Sequence, residues 1–194
     1  MSLWRIKDEL GNPSRPQKTM FLVSAFFDPL TNRTLQNLIN GIADVTGNQF
    51  MLEFNVPPHL TFLQIQTRTG QEQLEQAVKN LEGKLKAVPL TFASCGDGIP
   101  NVVFAKVRMT DELKTQINLI YDEIIKIPDI KINPYYLREN IFPHVTLGKT
   151  LTREQQAAAM DYVNKNFSIF EGIISEAALT CGKPPYPLVH FSVR

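Results

Sequence analysis

The order of hydrophobic and polar positions predicts one series of elements twice along the chain. Apolar runs and period-two alternation predict strands, whereas apolar residues at i, i+3 and i+4 predict helices. The predicted strands lie at 21–27, 59–66 and 89–95 in the first half, and at 102–108, around 144 and at 169–181 in the second. The predicted helices cover 152–166 and three apolar stripes: Leu35, Leu38, Ile39 and Ile42; Leu74, Ala77, Val78, Leu81 and Leu85; and Leu113, Ile117, Ile120, Tyr121 and Ile124. Each half is therefore predicted as β-α-β-α-β.

A five-residue signature occurs in both halves, as Pro-His-Leu-Thr-Phe around His59 and Pro-His-Val-Thr-Leu around His144. Successive side chains of a strand point to opposite faces, so the histidine and the threonine of each copy share one face. His59 and Thr61 thus form one polar pair, and His144 and Thr146 form another. The apolar residues between and after them are predicted to be buried. His190, the third histidine, has no such companion, and we interpret it as an ordinary strand histidine.

Two other landmarks repeat at nearly the 85-residue offset that separates the two signature histidines. Thr69 and Thr152 each begin a predicted capping box, in which a threonine and the acid or amide three residues later satisfy exposed backbone N–H groups. Cys95 and Cys181 each follow a strand-like run and precede a glycine. Three aligned landmarks indicate an internal duplication.

The whole chain, 1–194, is predicted to be a single bilobal domain. Lobe one covers about 20–96 and lobe two about 101–182, and a terminal strand lies at about 187–193. The glycine- and proline-rich break between the lobes is too short to link independent domains. The lobes are therefore expected to pack together, with their signature strands facing a common cleft.

Composition narrows the class of partner. The 20 basic and 19 acidic residues nearly cancel, so no general positive field attracts an extended duplex nucleic acid. The chain has no apolar run of about 18 residues, and its first residues are charged where a signal peptide would be apolar. We therefore expect a cytoplasmic protein with no membrane partner and reduced, partly buried cysteines. The oligomeric state is left open.

The paired signatures suit a phosphoester held between a proton acceptor and a proton donor. Two histidines near neutrality can act as one neutral base and one protonated acid, so His59 and His144 are candidate catalytic residues. The sequence does not show which of them is the base. Thr61 and Thr146 are further catalytic candidates and would bind phosphate by donating hydrogen bonds to non-bridging oxygens. This scheme needs no metal or cofactor, and none is predicted.

These residues resemble the two HxTx motifs of the 2H (two-histidine) phosphoesterase superfamily, and the second motif is most similar to its 2′-5′ RNA ligase-like branch. The resemblance covers about 20–181. It implies an α+β fold with two similar halves, antiparallel sheets around a central cleft and helices outside. It also implies a metal-independent phosphoesterase that acts on 2′,3′-cyclic phosphates or 2′-5′ phosphodiester linkages of RNA ends or small nucleotides. On this similarity His59 and His144 act as acid and base, and Thr61 and Thr146 bind phosphate.

Three further residues are candidates for substrate binding. Many ligase-like members have arginine three residues after the second threonine, where this chain has Lys149, which keeps the charge without the bidentate fork. Strand alternation predicts that Lys149 lies on the face opposite His144. The segment before the second motif offers Tyr136 for base stacking and Arg138 as a cation. A packed surface loop is the alternative for that segment.

Two other classes of function remain open. A nucleotide- or RNA-end-binding module would keep the cleft but have little turnover. A structural protein would use the repeat only to form a core and would neither bind nor turn over a nucleotide. Intact histidines and threonines in both motifs favour the enzyme.

Overall fold

The computed structural model describes residues 19–53, 55, 57–68, 70–98, 101–182 and 185–194. Its elements in chain order are β1 (Thr19–Phe27), α1 (Pro29–Thr46), α2 (Phe50–Glu53), β2 (Leu60–Thr67), α3 (Gln71–Lys79), β3 (Pro89–Gly98), β4 (Val102–Val107), α4 (Asp111–Ile124), β5 (Lys131–Ile132), a 3-10 turn (Pro134–Tyr136), β6 (His144–Gly148), α5 (Arg153–Asn166), β7 (Phe170–Cys181) and β8 (Tyr186–Ser192).

A local sequence signal determines the start of α5. The capping box predicted at Thr152 is present at the start of α5, where its side chain and that of Gln155 cap each other's backbone. The first capping box falls on Thr69, which lies outside the described residues, and α3 begins at Gln71 after Gly70. The apolar stripe predicted to continue to residue 85 is helical only as far as Lys79. Leu81 and Leu85, the last two residues of that stripe, lie after the end of the helix, and both are buried.

All eight strands belong to one antiparallel network in the order β1-β2-β6-β4-β3-β7-β8, with β5 paired to β2. β7 also pairs with β1, so the network closes on itself. The long β7 makes this closure possible, because its first four residues pair with β3 and the remainder with β1. The two sheets predicted around a cleft are therefore continuous. The third strand of each half pairs with the first strand of the other half.

The contacts between elements repeat about an approximate two-fold axis. The pairing of β1 with β2 matches that of β4 with β6, and the pairing of β1 with β7 matches that of β4 with β3. Helix α1 packs on α5 as α4 packs on α3. The contacts β2–β6 and β3–β7 each join equivalent strands, so both lie on the axis. These symmetric contacts confirm the α+β class and the internal duplication.

The core lies between the sheet and the helices. Apolar side chains of the strands and helices form one buried cluster, whereas the motif histidines and threonines are only half-buried on the other face of the sheet. Both cysteines are free thiols, as predicted, and burial raises the pKa of Cys95 to about 11. In the part of the chain that the structure describes, no helix combines the length and apolarity needed to cross a membrane.

We predict that Leu60→Ala lowers the free energy of unfolding by about 2–5 kcal/mol, because Leu60 is buried where the two signature strands meet. Leu30→Ala is the matched control, since that side chain is 69% exposed and its loss should change stability by no more than about 0.5 kcal/mol. Urea denaturation of both variants measures the difference. Equal effects would contradict the placement of Leu60 at a tightly packed strand contact.

Candidate active site

The two signature strands meet at a single registered pair, Leu60 opposite Val145. Both side chains are buried in the core. In an antiparallel pair the neighbours of such a pair lie opposite each other on the other face, with Cβ atoms about 4.5–5.5 Å apart. The register therefore sets the histidine of each copy beside the threonine of the other. The resulting neighbours are His59 with Thr146, and His144 with Thr61.

The two imidazoles are held in the same way. His59 Nδ1 lies 2.9 Å from the carbonyl oxygen of Pro57, and His144 Nδ1 lies 2.8 Å from that of Phe142. A carbonyl oxygen can only accept a hydrogen bond, so each Nδ1 must carry its proton. Each Nε2 is then the nitrogen that gains or loses a proton, which suits either a general base or a general acid.

A β-bulge follows the threonine in both motifs. β1 and β2 shift register so that Phe62 is the extra residue, and β4 and β6 shift so that Leu147 is the extra residue. The residue after each, Leu63 or Gly148, is also buried, so the alternation of faces reverses there. The prediction that Lys149 lies opposite the catalytic face is therefore wrong, because it assumed an unbroken strand.

Electrostatics agree with this placement. Burial, the Lys149 ammonium and His144 all lower the pKa of His59, and burial has the largest effect. The hydrogen bond to the Pro57 carbonyl opposes them without reversing the shift. His59 is therefore favoured in its neutral form, and Lys149 and His144 both lie within electrostatic range of its ring.

Tyr136 and Arg138 have different surroundings. The Tyr136 hydroxyl forms a hydrogen bond with Thr61, and burial raises the pKa of that phenol. Arg138 forms an ion pair with Asp122 and stacks over the ring of Tyr121 at 4.6 Å, both on α4. The structure thus brings Tyr136 to the motif residues, whereas the Arg138 side chain is engaged with a helix.

A glutamine positions the segment that carries Tyr136. Gln64 is the two-fold equivalent of Lys149. Its backbone carbonyl oxygen accepts a hydrogen bond from the backbone N–H of Asn133 at 2.9 Å. The two side chains also form a hydrogen bond. Gln64 therefore has a structural role, because it ties β2 to the segment that precedes the second motif.

Sequence reasoning missed several residues next to the imidazoles. Phe26 lies 5.9 Å from the His59 ring, and Phe104 and the partly exposed Phe142 lie 5.2 and 5.8 Å from the His144 ring. Lys106 pairs with His144 across β4 and β6, and its side chain lies against Gly96, where a Cβ would come within 2.6 Å of it. Phe142 stands two residues before His144 in the sequence. For the residues of β1 and β4 the available signal was period-two alternation, which does not identify neighbouring strands.

Metal ligands do not gather in the described residues. No group of three or more His, Cys, Asp or Glu side chains there could hold a metal ion. Lys106 and Lys149 are two cations that lie near the motif histidines.

The duplicated α+β fold of this chain is similar to that of several solved structures. Escherichia coli LigT in complex with 3′-AMP has this fold, with a TM-score of 0.60 and 14% identity over 91% of this chain and 99% of that chain. LigT in complex with ATP gives a TM-score of 0.53 at 15% identity, over 91% and 98%. A protein of Thermus thermophilus gives 0.54 at 18% identity, over 90% and 98%. No protein-family model and no curated protein matches the sequence. The predicted resemblance is thus confirmed at the level of the fold.

We predict that Lys149→Gln raises the pKa of His59. The substitution removes a positive charge that disfavours the imidazolium and installs the residue found at the equivalent position of the first half. Titration of the His59 ring by NMR measures the shift. Lys165→Gln, on the last turn of α5, is the matched control and should leave the pKa unchanged. An unchanged His59 pKa in Lys149→Gln would contradict the placement of the ammonium beside His59.

Proposed function

We propose that this protein is a metal-independent phosphoesterase that uses two histidines to open 2′,3′-cyclic phosphates or cleave 2′-5′ phosphodiester linkages of RNA ends or small nucleotides. The observation that carries this proposal is the register of β2 and β6, which sets both histidine–threonine pairs on one face at the two-fold axis. The complexes of similarly folded LigT with ATP and 3′-AMP support a nucleotide ligand. A cytoplasmic location remains a prediction.

The lowered pKa of His59 supports a division of roles between the imidazoles. We assign the base to His59, whose Nε2 takes a proton from water as the water oxygen forms a bond to phosphorus. The bond from phosphorus to the 2′ or 3′ oxygen breaks, and His144 gives its Nε2 proton to that departing oxygen. Both protons are accounted for. At the end of the step His59 is protonated and His144 is neutral, the reverse of their proposed starting states.

The neighbouring groups stabilise the negative charge that develops on phosphate. Thr61 and Thr146 flank the reaction centre and would donate hydrogen bonds to the non-bridging oxygens. Tyr136 positions the Thr61 hydroxyl. Lys149 would attract the anionic substrate while keeping His59 neutral.

We expect His59→Ala and His144→Ala each to lower turnover by about 10²–10⁴-fold, the usual contribution of a positioned acid or base. Thr61→Ala and Thr146→Ala should cost about 10–10³-fold, as one charge-stabilising donor each. Hydrolysis of 2′,3′-cyclic nucleotides and of 2′-5′ dinucleotides measures the losses, and circular dichroism checks that each variant is folded.

Thr115→Ala is the matched control, because that hydroxyl bonds only to a backbone carbonyl of α4 among the contacts described for it. Its turnover should equal that of the wild type. Near wild-type turnover in either histidine variant would rule out the two-histidine mechanism. Saturable binding of the same nucleotides without turnover by the wild type would instead favour the binding module.

We expect turnover to persist after treatment with EDTA, because the imidazoles supply proton transfer and the hydroxyls and Lys149 supply charge stabilisation. The rate on a 2′,3′-cyclic nucleotide is measured before and after removal of divalent ions by gel filtration in chelator. A loss of activity that a divalent ion restores would show that these residue roles are wrong.

A further inference from the structure

A second group of side chains extends the catalytic face beyond His59, on the side away from His144. The register that pairs Ala25 with Leu60 sets Phe26 beside His59, and Phe26 pairs in turn with Glu176 on β7. Residues paired across neighbouring strands lie on the same face of a sheet. Glu176 therefore shares the face of His59, two strands away, which is about 10 Å between Cα atoms.

The same argument places His190 on this face. Thr61 pairs with Ser24, Ser24 with Ala178, and Ala178 with His190 on β8. We call Phe26, Glu176 and His190 the β8-side cluster. This third histidine is a strand residue, as the sequence predicts, but the strand order brings it to the catalytic face.

Contacts join the cluster to the catalytic histidine. His190 Nε2 lies 2.7 Å from Glu176 Oε2, with the two side chains 49% and 41% exposed. The Phe26 ring lies 6.5 Å from the His190 ring and 5.9 Å from the His59 ring. The cluster thus offers an aromatic ring next to the proposed phosphate site and an accessible carboxylate beyond it.

A carboxylate is an unexpected group beside an anion site, and the exposed contact of Glu176 with His190 adds little to stability. A carboxylate can only accept hydrogen bonds, and its two oxygens have room for several donors. In a 2′,3′-cyclic nucleotide both of those sugar oxygens are bonded to phosphorus. The donors that remain are the 5′-hydroxyl and the base. The 5′-hydroxyl has a single donor and is esterified in an RNA end, whereas a base edge can present two donors to the two oxygens of Glu176.

We propose that the β8-side cluster binds the base of the substrate and selects guanine; this inference rests on the proposed function. Guanine alone among the common bases presents two adjacent donors, N1–H and N2–H, which match the two oxygens of a carboxylate. Adenine, cytosine and uracil each have a hydrogen-bond acceptor next to their donor. The lone pair of that acceptor would face a Glu176 oxygen and repel it. Phe26 stacks on the base, and His190 is a positioning residue that holds the carboxylate through its Nε2.

The test measures binding of guanosine, inosine, adenosine and cytidine 3′-monophosphates by calorimetry, which needs no turnover. Guanosine should bind most tightly, and inosine, which lacks the N2 amino group, more weakly. Glu176→Gln should weaken guanosine binding by about tenfold to a hundredfold, the effect of losing one bidentate base contact. Its binding of adenosine should change much less.

The matched control is Glu171→Gln, a carboxylate near the other end of β7 that accepts a hydrogen bond from Thr91 at 3.1 Å. This variant should bind all four nucleotides as the wild type does. His190→Leu should reproduce part of the guanosine loss, and His190→Gln, which keeps a donor for Glu176, should restore it. A residue that only stabilised β8 would weaken all four nucleotides equally.

Two results would overturn the inference: no preference for guanosine in the wild type, or equal weakening of all four nucleotides by Glu176→Gln. The kcat/KM values on the four 2′,3′-cyclic nucleotides separate this failure from failure of the proposed function. Turnover without base preference would leave the phosphoesterase and remove the guanine subsite. Selective guanosine binding without turnover would leave the subsite and remove the enzyme.

Discussion

The site depends on one packing constraint, the contact of Leu60 with Val145 at the two-fold axis. Burying both side chains determines which face of each signature strand points to the core, and therefore which face carries the polar pairs. A slip of one residue in either strand would turn its histidine and threonine inward and its apolar residues outward. The relative position of the two polar pairs is thus secured by the same burial that stabilises the core.

The two-fold symmetry of the backbone does not extend to the charges around the site. Lys149 is equivalent to Gln64, and Lys106, beside one histidine, is equivalent to Phe26 beside the other. The acid and the base of the proposed mechanism must differ in proton affinity, and different surroundings at equivalent positions are one source of such a difference. Burial lowers the pKa of His59, and the Lys149 ammonium, whose counterpart in the other half is the uncharged Gln64, lowers it further. Duplication therefore gave the geometry, and divergence of the halves gave the asymmetry.

Local patterns predicted every strand except the two-residue β5, most helices, the duplication and the polar pairs at His59 and His144, because alternation and helical spacing are properties of a single segment. They failed for Lys149, since a bulge is visible only in the pairing of two strands and one extra residue reverses every later side chain. They also extended α3 through Leu85, because the turns after the helix keep apolar residues near helical spacing. These errors come from geometry that a single segment does not contain.

The neighbours of the motifs could not be predicted for a related reason. Phe26 and Glu176 are 150 residues apart in sequence and become adjacent only because β7 crosses to the first half of the chain. Seen alone, β8 is a strand with one unremarkable histidine, and its partner carboxylate lies in a different predicted strand. The pairing of β7 with β1 and with β8 brings these separate residues together on one surface beside His59. The residues that determine what reacts can thus lie far in sequence from those that carry out the reaction, because sheet order decides which side chains share a face.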